Sequence, residues 1–160
     1  MKAAKDIKWL GGTIDDAAGE CFDKTARLLG FGHGGGVAIE AAASKYPISN
    51  IQYPIKLPRP MMHDETLNFS FSGLKTAVMR EVNKAKTIQQ IDTTTMQQFA
   101  YEIQESITDV LVEKTLRAAK QYGAKSILLS GGVAANTRLR EKLNSSLITH
   151  HSSLSFLAPP

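Results

Sequence analysis

The sequence predicts an α/β domain with more helix than sheet, and three observations carry that expectation. Apolar residues recur at three- and four-residue steps along Asp15 to Leu29 and along Thr94 to Tyr122, giving helices with one buried stripe. A short apolar run, Lys125 to Leu129, leads into Ser130-Gly131-Gly132 and then a further helical stretch, a strand–turn–helix order. The 160 residues, 42% hydrophobic and 21% charged, suffice to bury one core and are too apolar for a disordered chain.

The elements follow in order. Asp15 or Asp16 is placed to cap the first helix, with Ala18, Cys21, Phe22, Thr25 and Leu29 on its buried face and Gly30 as its stop. A glycine-dense loop from Gly30 to Gly36 then opens a short helix through Ile39 to Ser44. Tyr46 to Met62, interrupted by Pro47, Pro54, Pro58 and Pro60, reads as irregular chain with an edge strand at Ile51 to Ile55. Phe69-Ser70-Phe71 is a short strand, and Gly73 turns the chain into a helix from Leu74 to Lys86. Thr94 and Gln97 have capping-box spacing for the longest helix, with Met96, Phe99, Ile103, Ile107, Val110 and Leu111 inward and Gly123 at its end. Val133 to Leu143 is a last helix, and Leu154 to Leu157 begins another strand.

Three segments offer chemistry. The pair Gly131-Gly132 lets a ligand approach the backbone, and the helix start beyond it offers free N–H groups and a positive dipole end to a phosphate. Asn136 stands one turn on, able to bond a ribose, base or phosphate; a plain tight connection explains the same residues equally well. On the first helix Asp16, Glu20 and Asp23 share a face left open by Gly19, suited to sugar hydroxyls or simply to water. Gly34-Gly35-Gly36 opens the next helix with Glu40 one turn later, as a ligand loop or a flexible connection.

Other functions are harder to place. The histidines, His33, His63, His150 and His151, form no paired helical ligand motif and Cys21 stands alone, so no complete metal site is expected within these residues. Lys56, Arg59, Lys75, Arg80, Lys84 and Lys86 concentrate positive charge in a chain of net +4, either for phosphates or as a solvated face. No apolar run is long enough for a membrane span, no secretory signal opens the chain, and the lone cysteine suits a reducing compartment, cytoplasmic or organellar.

Three longer matches supply more than any single glycine pair. Ile14-Asp15-Asp16-Ala17-Ala18-Gly19-Glu20-Cys21-Phe22-Asp23-Lys24 is similar to a DDAAGEAFDK segment, Asn68 to Thr76 to an FSFSGLKT segment, and Ser130 to Asn136 through Leu139-Arg140 to a GGVAAN…LR segment. Together, in that order, they resemble the tRNA threonylcarbamoyladenosine transferases, the glycoprotease-like family, over nearly the whole chain. The resemblance implies the actin-like, sugar-kinase-like ATPase fold, with residues 1–160 a single partial domain: the helix-rich second lobe, without the N-terminal lobe or the C-terminal segment. It implies transfer of the threonylcarbamoyl group from threonylcarbamoyl-adenylate to N6 of the adenosine 3′ of the anticodon in ANN-decoding tRNAs.

On that resemblance Asp23, Gly36 and Asn136 match positions that bind the adenylate or ATP, Glu40 matches a further acidic contact, and the backbone at Gly131 and Gly132 lies against the ligand. The implied partners are tRNA and, in bacteria, two smaller subunits. The family's iron or zinc is held by an upstream His-x-x-x-His pair and a downstream aspartate, neither within these residues, so the chain alone is expected not to catalyse transfer. His33-Gly34-Gly35-Gly36-Val37 also stands where the family has Tyr-Pro-Gly-Gly-Pro, which should loosen the loop. The alternatives are a non-catalytic nucleotide- or partner-binding module and, with no HExxH helix to support it, a metallopeptidase.

Overall fold

The computed structural model describes residues 7–32, 34–47, 55–88, 91–150 and 155–158, with the side chains of 88, 149 and 150 excepted. Five α-helices and one two-stranded parallel sheet are formed among them: α1 Ala18–Leu28, α2 Gly35–Ala43, α3 Ser72–Ile88, α4 Thr93–Gln121, β1 Ser126–Leu128, α5 Thr137–His150 and β2 Ser155–Leu157. The expected edge strand at Ile51 to Ile55 falls outside the described residues except for Ile55, which belongs to no element.

Helix α4 is the spine. At 29 residues it spans about 44 Å at 1.5 Å per residue. Phe99, Ala100, Ile103, Ile107 and Val110 on its inner face are at most 1% exposed and meet Phe22, Ile39, Phe71, Leu74 and Val78 from α1, α2 and the start of α3. Its cap is Asp92, whose carboxylate accepts from the Thr95 N–H at 2.7 Å, so the cap stands two residues before the Thr94 expected to open the capping box. An aspartate accepts that bond more strongly than a threonine hydroxyl.

Helices α1 and α4 stop in the same way. Gly30 and Gly123 sit at φ 78° and 59°, where only glycine is at ease. The following N–H groups reach back to Ala26 (2.9 Å) and Ala119 (2.9 Å), while the glycine N–H groups bond Arg27 and Lys120. These are Schellman closures.

Three local expectations are corrected. Helix α1 takes no side-chain cap from Asp15 or Asp16; its cap position is Ala17. Asp16 is instead paired with Lys24 at 2.7 Å, and Asp15 turns away to α3. Phe69–Phe71 is not a strand but a single parallel bridge, Thr13 to Phe69, because α3 begins already at Ser72 and leaves no extended residues to pair. Beyond Gly131-Gly132, a short 3-10 turn over Gly132–Ala135 and an extended Asn136 precede α5, where one helix from Val133 was expected.

The unit β1–α5–β2 is a parallel crossover with Ser126 beside Ser155, Ile127 beside Phe156 and Leu128 beside Leu157. Ile127 and Phe156 face α4 and α5 with Leu116, Ala119 and Leu147. A line of alternating charges fastens α5 to α4. Glu105, with its side chain 11% exposed, accepts from Arg138 at 2.7 and 3.1 Å and pairs with Lys142 at 2.9 Å. Lys142 also bonds Asp109, and Asp109 bonds Arg59 at 3.0 Å. Burial acts to raise the Glu105 pKa, but Arg138 and Lys142 outweigh it and hold the carboxyl below its ordinary range.

Candidate functional site

The cleft of interest lies where α1, α2 and the 3-10 turn meet. It has a volume of about 440 Å³, and Asp23, Gly36, Glu40, Gly132 and Asn136 all line it. Five of the six residues singled out from the sequence are therefore neighbours, although more than a hundred positions separate the first from the last. The sixth, Gly131, is not in the lining. It shapes the turn instead, at φ 88° and ψ 174°, a conformation essentially confined to glycine.

Each glycine of the α2 loop has its own reason. Gly34 caps α2 at φ 84°. A β-carbon at Gly35 would stand 2.4 Å from the Asp23 Cα, so Gly35 is what allows α1 and α2 to meet. At Gly36 the nearest atom to such a carbon is 3.9 Å away, so Gly36 serves the cleft only by leaving room. Gly19, which leaves the acidic face of α1 open, also has space: a β-carbon there would stand 3.5 Å from Val133, an ordinary contact.

Glu40 and Asn136 carry structural duties alongside their place in the cleft. Glu40 Oε1 accepts from the Thr137 N–H at 2.8 Å, joining α2 to the first residue of α5. Asn136, 6% exposed, accepts from the Leu139 N–H at 2.9 Å through Oδ1 and donates to Gln104 at 3.0 Å through Nδ2. Asn136 is thus the N-cap of α5. The helix start at Val133, expected to present its dipole to a phosphate, is a 3-10 turn of four residues, and the true helix end at Thr137 already holds the Glu40 carboxylate. No lysine or arginine is among the lining residues, and the Asp23 and Glu40 carboxylates offer the cleft hydrogen-bond acceptors.

Sequence reasoning did not pick out the apolar part of the lining. Val37 is 75% exposed at the cleft, and Val133 and Phe22 also border it. Val37 was weighed only as the residue replacing a proline. An exposed valine next to glycines was the signal available.

The basic residues divide. Arg59 lies between Glu102 and Asp109 and is taken up by them. Arg80 and Lys84 remain on the surface, with side chains 77% and 67% exposed. Among the described residues no group of three or more His, Cys, Asp or Glu side chains is arranged to hold a metal, so the donor set does not fit iron or zinc. No described helix is long and apolar enough to cross a membrane.

A glycine-opened helix facing an acidic one, closed at one side by a strand–turn–helix unit, defines an α/β protein with an acceptor-rich cleft. A family model described as tRNA N6-adenosine threonylcarbamoyltransferase matches residues 1–160, and the chain belongs to that family. It is similar to proteins of that name from Methylobacillus flagellatus (47% identity over 144 residues, 90% of this chain and 41% of the relative) and Persephonella marina (42% over 153 residues, 94% and 41%). A third, from Thermosipho africanus, is 40% identical over 160 residues, all of this chain and 46% of the relative. The chain thus spans less than half the length of these relatives.

Proposed function

We propose that this chain forms the nucleotide side of an enzyme that transfers a threonylcarbamoyl group from threonylcarbamoyl-adenylate to N6 of the adenosine 3′ of the anticodon in ANN-decoding tRNAs. One observation carries the reading: Asp23 and Asn136, from two segments that resemble the family's motifs, line one cleft together with Gly36 and Glu40 of α2. In it the exposed Asp23 carboxylate accepts from the ribose hydroxyls, as does the unpaired oxygen of Glu40. Val37 and Val133 supply apolar surface to the adenine, and Gly36 and Gly132 let the ligand lie against backbone. The phosphate points away from the two carboxylates, toward solvent or whatever covers the cleft.

In the transfer itself the tRNA amine attacks the carbamoyl carbon, the bond from that carbon to the adenylate oxygen breaks, AMP leaves, and the amine gives up a proton. The cleft's contribution is positional: adenylate binding holds the reacting carbon in place. The chain belongs to the helix-rich lobe of an actin-like ATPase fold, works in the cytoplasm, and completes its site with partner subunits of the transfer complex.

Calorimetric titration with ATP, or with a non-hydrolysable analogue of the adenylate, tests the assignment. Asp23→Asn should weaken binding about tenfold, the loss of a hydrogen bond to a charged acceptor. Equal affinity for Asp23→Asn and the parent chain would remove Asp23 from the site. The alternative is a nucleotide- or partner-binding module without transfer, and measurable turnover by the 160-residue chain in a tRNA-modification assay would dismiss it.

A further inference from the structure

The outer side of α3 is a cationic surface that the cleft does not explain. Helix α3 carries four cations, Lys75, Arg80, Lys84 and Lys86, against the single carboxylate of Glu81. Its 17 residues therefore hold net +3 in a chain whose total is +4. At 3.6 residues per turn, Lys75 and Lys86 fall along one edge of the exposed arc and Arg80 and Lys84 along the other. Thr76, Asn83 and Thr87 lie exposed between them. The cations extend over about 16 Å of helix axis at 1.5 Å per residue. Glu81 is ion-paired with Arg80 at 3.6 Å and Lys84 at 3.9 Å, and one carboxylate between two cations leaves that edge net positive.

The opposite side of the same helix decides what kind of partner fits. Leu74, Ala77, Val78 and Val82 are buried in the core, so α3 has no apolar face left to insert into a lipid surface. What remains is a two-edged row of cations with Thr76, Asn83, Thr87 and one apolar side chain, Met79, exposed between the edges, an arrangement that meets a phosphodiester backbone without reading bases. The helix is also tied to the cleft. It packs on α1, the helix that carries Asp23, and the Asp15 carboxylate just before α1 grips its first residues.

We propose that the outer face of α3 is a docking surface for the sugar–phosphate backbone of the substrate tRNA, with Lys75, Arg80, Lys84 and Lys86 as its phosphate contacts. This rests on the transferase reading, since it takes the RNA to be the acceptor of that reaction. Arg59, although basic and close in sequence, takes no part because its guanidinium is held by Glu102 and Asp109.

The test uses the whole chain and a fluorescein-labelled anticodon stem-loop of an ANN-decoding tRNA, with binding followed by anisotropy across a salt series. Lys75→Gln/Arg80→Gln/Lys84→Gln/Lys86→Gln should weaken binding at least about tenfold at low salt and lower the log–log salt slope by about 3, at 0.7–0.9 per phosphate contact. A control with the same charge change on other faces, Lys45→Gln/Lys56→Gln/Lys120→Gln/Lys125→Gln, should stay within about twofold. If the fourfold variant unfolds, the pairs Arg80→Gln/Lys84→Gln and Lys75→Gln/Lys86→Gln should each take about half the slope change. Equal losses in variant and control, or no binding of the stem-loop by the parent, overturn the inference. ATP titration of the same proteins separates the two levels. Asp23-dependent ATP binding with RNA binding indifferent to α3 overturns the docking surface alone. Failure of the parent to bind ATP overturns the transferase reading beneath it.

Discussion

Two helices in this molecule start on a carboxylate sent from a distant segment, and the two carboxylates are used differently. Asp15 serves α3 across 56 residues: Oδ1 accepts from the N–H groups of Phe71 (2.8 Å) and Ser72 (3.3 Å), and Oδ2 from the hydroxyls of Ser70 and Ser72. Glu40 serves α5 across 97 residues, and among the described residues it accepts one bond only, from Thr137. A carboxylate has about four acceptor positions. Asp15 is saturated and outside the cleft; Glu40 has capacity to spare and lines it. Spare acceptor capacity thus separates a carboxylate that holds the fold from one that can also hold a ligand.

The largest effect expected from breaking this pair is at Asp15. Asp15→Ala removes four hydrogen bonds, two of them to the N-terminal backbone of α3, and should cost about 2–3 kcal/mol, the sum of a good cap and a charged hydrogen bond. Urea unfolding measures it, and a loss below about 0.5 kcal/mol would show that the α3 terminus does not depend on Asp15. Affinity for ATP should be unchanged, because Asp15 does not line the cleft.

The pH dependence of stability sharpens the same point. Burial works to raise the Asp15 pKa, yet the bonds from Ser70, Ser72 and Phe71 prevail and hold it well below its ordinary value of 3.8. A carboxyl depressed in the folded state contributes stability that is complete above its unfolded pKa and is lost as pH falls through the folded one. Glu105, held below 4.5 by Arg138 and Lys142, acts in the same direction. Stability from these two groups should be flat from pH 7 to 5 and fall below about 4.5. Asp15→Asn should give a shallower acid decline in urea midpoints at pH 7, 5 and 3; an unaltered decline would mean that Asp15 has no part in it.

What could be read from the sequence follows from how far each interaction reaches. The long helix α4 and the Gly30 and Gly123 stops rest on neighbours within a turn or two, and their residues state them directly; the strand at Ile127 shows as an apolar run although its pairing partner is Ser155–Leu157. Asp15 stood with Asp16 as a candidate cap of its own helix because a local pattern has no means of showing that Phe71 and Ser72 lie beside it. The same limit hid the break at Asn136: Val133 to Leu143 has helical spacing, but Asn136 leaves the helical conformation to cap α5 and to reach Gln104, 32 residues away. For Gly34, Gly35 and Gly36 the triplet was visible but their division of labour was not, since Gly35 owes its identity to the Asp23 backbone. The meeting of Asp23, Gly36, Glu40 and Asn136 came from family resemblance rather than from any periodicity.

The smallest effect tests Glu40 itself. Gln keeps an acceptor for the Thr137 N–H, so Glu40→Gln should lower stability by no more than about 0.5 kcal/mol, the difference between a charge-assisted and a neutral bond at a helix end. The same change removes negative charge from the cleft, where the free carboxylate oxygen is the part available to a ribose hydroxyl, and should weaken ATP binding about fivefold, about 1 kcal/mol. Calorimetry and urea unfolding on one preparation read both quantities. A variant that loses stability and keeps its affinity would make Glu40 a second Asp15, a clamp between α2 and α5. One that keeps its stability and loses affinity places the spare oxygen on the ligand, and with it the distinction between the two carboxylates.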